Sequence, residues 1–194
     1  MNSGTIIVLS GPSGVGKTTI CNRLLQLRTD LRYSISATSR PKRKVEENGR
    51  EYIFLTKREF RDWIRDSRFA EYAEVYGHYY GTPKKPLDET LRKGLHVLMD
   101  VDVQGAKSLM KAYPHGIYVF IVPPDLAELE RRLKQRNTDE HEVIESRLAR
   151  ALEELEYKND YRYVIENEHL DTTVSEILRI LEEKLGPAPD ISLH

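Results

Sequence analysis

The 194-residue chain contains one cysteine, Cys21. An internal disulfide is thereby excluded, and the composition suits a reducing compartment such as the cytoplasm. Cys21 reads as a small packing residue of the first helix rather than a reactive thiol. Charge of one sign is not in excess either. Thirty Lys and Arg stand against 31 Asp and Glu, a formal net charge of −1. That balance argues against broad nucleic-acid or membrane-surface binding. No apolar run is long enough to span a bilayer. The start, Met1-Asn2-Ser3-Gly4, has no basic stretch, so no cleavable leader is expected. The six histidines show neither His-Glu-x-x-His nor Cys/His spacing, which argues against a zinc site. A Gly-x-Ser-x-Gly elbow, internal repeats and low-complexity tracts are absent, and no pattern bears on oligomeric state.

What is there begins at Gly11. The segment Gly11-Pro12-Ser13-Gly14-Val15-Gly16-Lys17-Thr18 fits the phosphate-loop pattern Gly-x-x-x-x-Gly-Lys-Thr. A short apolar run, residues 5–10, precedes it and reads as a buried strand. Ile20, Leu24 and Leu27 follow at helical spacing. Strand, glycine loop and helix together are the context the motif requires. Glycines let the backbone wrap closely and turn several N–H groups inward. The helix N-terminus adds its positive dipole end. Lys17 is then placed to reach terminal phosphates and the Thr18 hydroxyl to ligate Mg²⁺, so a nucleoside triphosphate is the expected ligand.

Four runs read as strands of a buried parallel sheet: 5–10, 95–99, 117–122 and, more weakly, 163–165. Helical patterns cover 103–111, 125–135, 140–157 and 172–185. The alternation predicts an α/β layered fold. Ligands belong beyond the carboxyl ends of such strands. Residues 36–87 break the alternation. They hold a basic loop, a turn at Asn48-Gly49, a short strand at 51–55 and a helix opened by a capping box, Thr56 with Glu59. Residues 69–80 then alternate and turn at Gly77-His78, which predicts a small, mostly antiparallel insert.

Several constellations carry chemistry and each has a plainer alternative. Asp100 ends an apolar strand near the phosphate loop, which suits a carboxylate organising Mg²⁺. It also suits a helix cap, although Asp102 fits the cap position better. Glu71 falls on the apolar side of its strand with Phe69, Ala73 and Val75, so it needs a partner. A guanine edge offers two adjacent N–H donors, but from the residues alone an ordinary salt bridge is the favoured reading. Arg40 and Arg43 make forks suited to a phosphate dianion, or a solvated basic turn. Tyr52 and Tyr80 are candidate hydroxyl donors to the same phosphate, or packing residues. Arg132, Arg136 and Arg147 surround the polar segment 137–140, as a cationic lid over a moving phosphoryl group would require. Helix arithmetic alone favours a charged outer face with pairs such as Glu128–Arg132.

Taken in order and spacing, these segments resemble guanylate kinase. The segments are 11–18, 36–43, Asn48-Gly49-Arg50-Glu51-Tyr52, Glu71, Gly77-His78-Tyr79-Tyr80-Gly81-Thr82 and Asp100-Val101-Asp102-Val103-Gln104-Gly105. The resemblance runs from about residue 6 to residue 181. It implies that ATP lies on Gly11, Pro12, Ser13, Gly14, Val15, Gly16, Lys17, Thr18 and Thr19, with Asn167 near the adenine. It implies that Arg40, Arg43, Tyr52 and Tyr80 hold the phosphate of GMP. Ser36, Glu71, Thr82 and Asp102 would read the guanine. Lys17, Arg132, Arg136 and Arg147 would stabilise the transferring phosphoryl, with Mg²⁺ on Thr18 and Asp100. The sequence departs from the family twice. Pro41 stands one place early between the two arginines, and Asn137 replaces the glycine that usually follows the second lid arginine.

The expected architecture is a three-layer P-loop NTPase fold with a mostly parallel sheet. Its core is 1–35 and 88–185, with a helical lid at about 136–147. A GMP-binding insert occupies 36–87, and 186–194 form a frayed tail. The expected activity is Mg²⁺-dependent transfer from ATP to GMP or dGMP. One alternative is a non-catalytic interaction module on the same fold, opposed by the intact loop and lid arginines. The other is a kinase of phosphorylated sugars, opposed by Ser36, Glu71 and Thr82. A GTPase is disfavoured because the Asn-Lys-x-Asp motif is missing.

Overall fold

The computed structural model describes residues 3–135 and 141–189. The chain opens with β1 (Ile6–Ser10), every residue of which is buried, and passes through the glycine loop into α1 (Lys17–Leu27). Short strands β2 (Leu31–Tyr33), β3 (Ala37–Thr38) and β4 (Ile53–Phe54) follow. Next come α2 (Lys57–Arg65), the hairpin β5 (Phe69–Val75) and β6 (His78–Pro83), and α3 (Lys84–Arg92). The chain continues through β7 (His96–Asp100), α4 (Val103–Ala112), β8 (Ile117–Val122), α5 (Leu126–Gln135) and α6 (His141–Leu155). It ends with a 3₁₀ turn (Glu156–Asp160), β9 (Tyr163–Glu166) and α7 (Leu170–Leu185). The four strands expected from apolar runs correspond to β1, β7, β8 and β9. Among the described residues no helix is long and apolar enough to cross a membrane.

The central sheet is parallel, with strand order β2-β7-β1-β8-β9. β1 therefore lies between β7 and β8, next to the point where the connections leave in opposite directions, the place at which parallel sheets of this kind bind ligands. A second, mostly antiparallel sheet has the order β4-β3-β6-β5. The chain separates into two compact units. One comprises Met1–Ile7, Arg32–Met99 and Gln104–Ile117; the other comprises Val8–Leu31, Asp100–Val103 and Tyr118–His194.

In the first unit, α2 begins as its capping box dictates. The Thr56 hydroxyl accepts the Glu59 N–H at 3.2 Å, and the Glu59 carboxylate accepts the Thr56 N–H at 2.7 Å. The helix presents Phe60, fully buried, to Phe69 at 4.4 Å and Tyr79 at 5.3 Å between ring centroids. β5 and β6 pair with Val75 opposite His78, so the hairpin loop is Tyr76-Gly77, one residue earlier than the sequence pattern predicts. Both loop residues have positive φ, 50° and 73°, which is the requirement of a tight loop matching the strand twist. α3 carries no strong sequence signal: Leu87 and Leu91 are its buried residues, and Pro86 sits in the first turn, where a missing N–H costs nothing.

In the second unit, α5 and α6 meet through Leu129, Leu133 and Ala151 with Leu148 against them. Arg28 is almost wholly buried and donates to Asp30 at 2.6 Å and to the carbonyl of Gly186 at 3.1 Å. Gly186 closes α7 with φ 88°. The chain is thus anchored where the frayed tail is expected to begin; residues 190–194 of that tail lie outside the described residues.

Candidate active site

The glycine loop is shaped by its backbone. Gly11 has φ 131°, and a Cβ there would stand 2.2 Å from the carbonyl oxygen of Ile121. Gly16 has φ 101° and caps α1; a Cβ there would stand 2.6 Å from the Asn167 amide nitrogen. Neither position admits a side chain without strain. The Lys17 ammonium donates to the carbonyls of Gly11 at 2.6 Å and Pro12 at 3.0 Å, which holds the cation over the loop. Thr18, one residue into α1, donates its hydroxyl to Asp100 Oδ2 at 2.9 Å. A hydroxyl and a carboxylate so joined are hard oxygen donors beside a phosphate loop, the donor set Mg²⁺ takes together with phosphate oxygens. Among the described residues no group of three or more His, Cys, Asp or Glu is arranged to hold a metal alone.

Asn167 is buried, donates to the Val15 carbonyl at 2.8 Å and accepts from the Thr173 hydroxyl at 3.0 Å. Arg132 reaches the same place from α5. Its guanidinium pairs with Glu128 at 2.6 Å and donates to the carbonyls of Asn167 at 3.0 Å and Val15 at 3.4 Å. The helix pair expected from spacing is present, and the same side chain also braces the loop. Arg131 and Arg132 hold the Glu128 carboxyl down to about 2. Gly14, Gly16, Thr19, Arg132 and Asn167, with Glu168 and Leu170, line a cavity of about 370 Å³. Arg147 is half-buried on α6. Arg136 and Asn137 lie outside the described residues.

One helical turn beyond Arg147, Arg150 pairs with Glu154 at 3.2 Å and with Asp102 at 3.5 Å. Glu154 is buried, and that burial raises its carboxyl above the ordinary range against the pull of Lys17 and Arg150. Neither Arg150 nor Glu154 is singled out by sequence pattern. The i, i+4 spacing signals their pairing, but nothing along the chain signals burial or the approach to Asp102.

The other candidate residues gather on the small sheet. Glu71 and Thr82 are directly opposed on β5 and β6. Both are buried, and the Thr82 hydroxyl donates to Glu71 Oε1 at 2.6 Å. The inward alternation expected for Glu71 and Ala73 is present, with Tyr72 and Glu74 exposed. Ser36 is half-buried just before β3, and its carbonyl accepts the Ile53 N–H. Arg40 lies over the Tyr52 ring at 5.4 Å, and the Tyr52 and Tyr80 rings meet edge-on at 6.0 Å. Arg40 makes a two-pronged ion pair with Glu46, at 2.7 and 3.0 Å. Arg43 is exposed, and its backbone N–H donates to the same carboxylate at 2.7 Å. Glu46 is a further group that sequence reasoning misses. Its place three residues after Arg43 is a faint signal, since a carboxylate in a charged loop reads as solvated.

The family model described as guanylate kinase matches residues 3–184. A guanylate kinase of Carboxydothermus hydrogenoformans is 45% identical over 188 residues, spanning 96% of this chain and 92% of that relative. One from Rickettsia felis is 44% identical over 180 residues, 93% of this chain and 94% of the relative. The crystal structure of guanylate kinase from Anaplasma phagocytophilum superposes with a TM-score of 0.80 at 34% identity, covering 99% of this chain and 92% of that one.

Proposed function

The chain belongs to the guanylate kinase family, and we propose that it transfers the terminal phosphoryl group of ATP to GMP, giving ADP and GDP. The observation that carries the choice of acceptor is the buried Glu71 carboxylate beside the Thr82 hydroxyl. An ionised carboxylate accepts two adjacent N–H donors, which the guanine edge has and the adenine edge lacks. Ser36 and Asp102 complete the reading of the base. Arg40, Arg43, Tyr52 and Tyr80 take the acceptor phosphate, so residues 36–87 act as the GMP-binding insert of a core formed by 1–35 and 88–185.

ATP is held by residues 11–19, with Asn167 bracing the loop beneath it. Mg²⁺ belongs on Thr18 and Asp100; when bound it screens the charge of the donor phosphates. The chain's own residues supply position and charge. Lys17 leaves its loop carbonyls for the phosphoryl group, and Arg132, Arg136 and Arg147 place cations where negative charge develops. The acceptor phosphate is already largely ionised near neutral pH, so no strong general base is required. The single thiol suits a cytoplasmic setting.

The test is nucleoside diphosphate production from ATP and Mg²⁺ with GMP, AMP, CMP and UMP as separate acceptors. Strong preference for GMP is expected. Preference for another acceptor would keep phosphoryl transfer and remove the Glu71 reading. No turnover by folded protein would reject the proposal.

A further inference from the structure

Glu46 stands out in its loop. Val45 beside it is 83% exposed, whereas Glu46 is 8% exposed. A carboxylate turned inward from a solvated loop is costly unless it is paired and hydrogen-bonded. Glu46 is both: it accepts Arg40 Nη1 at 3.0 Å, Arg40 Nη2 at 2.7 Å and the Arg43 N–H at 2.7 Å. One carboxylate therefore holds the side chain of the first loop arginine and the backbone of the second.

The geometry at Arg40 says which part of the guanidinium remains for a ligand. The group has five N–H donors in a rigid plane. Glu46 takes the end formed by Nη1 and Nη2. The Pro41 carbonyl takes a further Nη1 donor at 2.7 Å. Neither Glu46 nor Pro41 takes the edge formed by Nε and the outer Nη2 hydrogen, and the Tyr80 hydroxyl is hydrogen-bonded to the guanidinium beside it. That edge is itself a two-pronged fork of the kind that grips phosphate. The Tyr52 and Phe54 rings, 5.4 and 5.8 Å from the guanidinium carbon, hold its plane.

We propose that Glu46 is a positioning residue for the acceptor phosphate, fixing Arg40 by one edge so that the other faces the ligand and anchoring the loop at Arg43. The proposal rests on the reading that Arg40 binds the phosphate of GMP. Arg40 and the Arg43 N–H also hold the Glu46 carboxyl below its ordinary range, so the pair stays ionised near neutral pH.

Calorimetric titration with GMP and with guanosine separates phosphate recognition from everything else. Glu46→Gln is expected to weaken GMP binding about 10-fold, the order of a lost charged hydrogen bond. Guanosine binding and the KM for ATP should stay within about twofold. Glu46→Asp, which keeps the charge on a shorter stem, should fall between, and gives the same comparison if the Gln variant does not fold. Equal losses for GMP and guanosine would overturn the proposal, because they describe a general structural prop. Tighter GMP binding would also overturn it, because the carboxylate would then be competing with phosphate. Arg40→Ala distinguishes the two levels. If it weakens GMP selectively and both Glu46 variants do not, only the role of Glu46 falls; if it does not, the phosphate reading of Arg40 falls and the proposal with it.

Discussion

The Thr18 hydroxyl donates to Asp100 Oδ2 across 2.9 Å, between residues 82 positions apart. One belongs to the first turn after the glycine loop and the other to the end of β7. The parallel sheet brings them together, because β7 is the neighbour of β1. If this pair holds Mg²⁺, Asp100→Asn should raise the Mg²⁺ concentration for half-maximal rate about 10-fold. The rate measured against Mg²⁺ at fixed ATP checks this. An unchanged midpoint would assign the pair to the fold alone.

Lys17 rests on the carbonyls of Gly11 and Pro12 at 2.6 and 3.0 Å. Its charge is the one the loop itself brings to a phosphate. Lys17→Ala should lower kcat by about 10²–10³-fold while thermal stability changes little. Single-turnover rates with saturating ATP are the measurement. Turnover like that of the parent chain would remove Lys17 from the chemistry.

Glu71→Gln keeps the size of the side chain and its bond to Thr82 but replaces one acceptor with a donor. The KM for GMP should rise roughly 10–100-fold, and the KM for ATP should stay close to the parent value. Equal GMP kinetics in the two proteins would take Glu71 out of base recognition.

Arg150 shares its guanidinium between Glu154 and Asp102, at 3.2 and 3.5 Å. Arg150→Ala should weaken GMP use several-fold. In an Asp102→Asn background the same change should add little, since residues that act through one another are not additive. Additive effects on GMP kinetics would show that the ion pair does not orient Asp102.

Glu128 gives a pH dependence. Arg131 and Arg132 hold its carboxyl at about 2, below the ordinary 4.5 of an unfolded chain. A carboxyl lowered on folding contributes stability that is present above the unfolded value and is lost as pH falls through the folded one. Parent and Glu128→Gln should therefore differ in stability above pH 4.5 and converge towards pH 2. The difference should be small and salt-sensitive, because the Glu128 carboxylate and its two arginines remain open to solvent in part. Urea midpoints across that range, at low and high salt, are the check.

Features set by neighbours along the chain are legible in the sequence itself. The glycine loop is one, because Gly11, Gly16 and Lys17 act through backbone shape and a single helix start. The Thr56–Glu59 capping box is another, since both partners lie within one turn. The alternation that buries Glu71 and exposes Tyr72 follows from the period of a strand. The hairpin turn falls one residue away from its expected place, because Tyr76 with φ 50° is an unfavoured choice that sequence patterns do not announce. β2 and β3, three and two residues long, are too short to carry a period. α3 hides behind charged residues and Pro86.

What the sequence determined by itself was therefore the family, the phosphate loop and the local form of most elements, because these depend on residues within a few positions of one another. The tertiary structure alone decided which distant groups meet. It put Thr18 against Asp100 and Arg132 against the loop carbonyl of Val15. It turned Glu46, a charged residue in a charged loop, inward to hold Arg40. The physical reason is burial. Whether a carboxylate is solvated or enclosed depends on what packs around it, and that is fixed by strand order and side-chain packing rather than by the residues adjoining it in the chain.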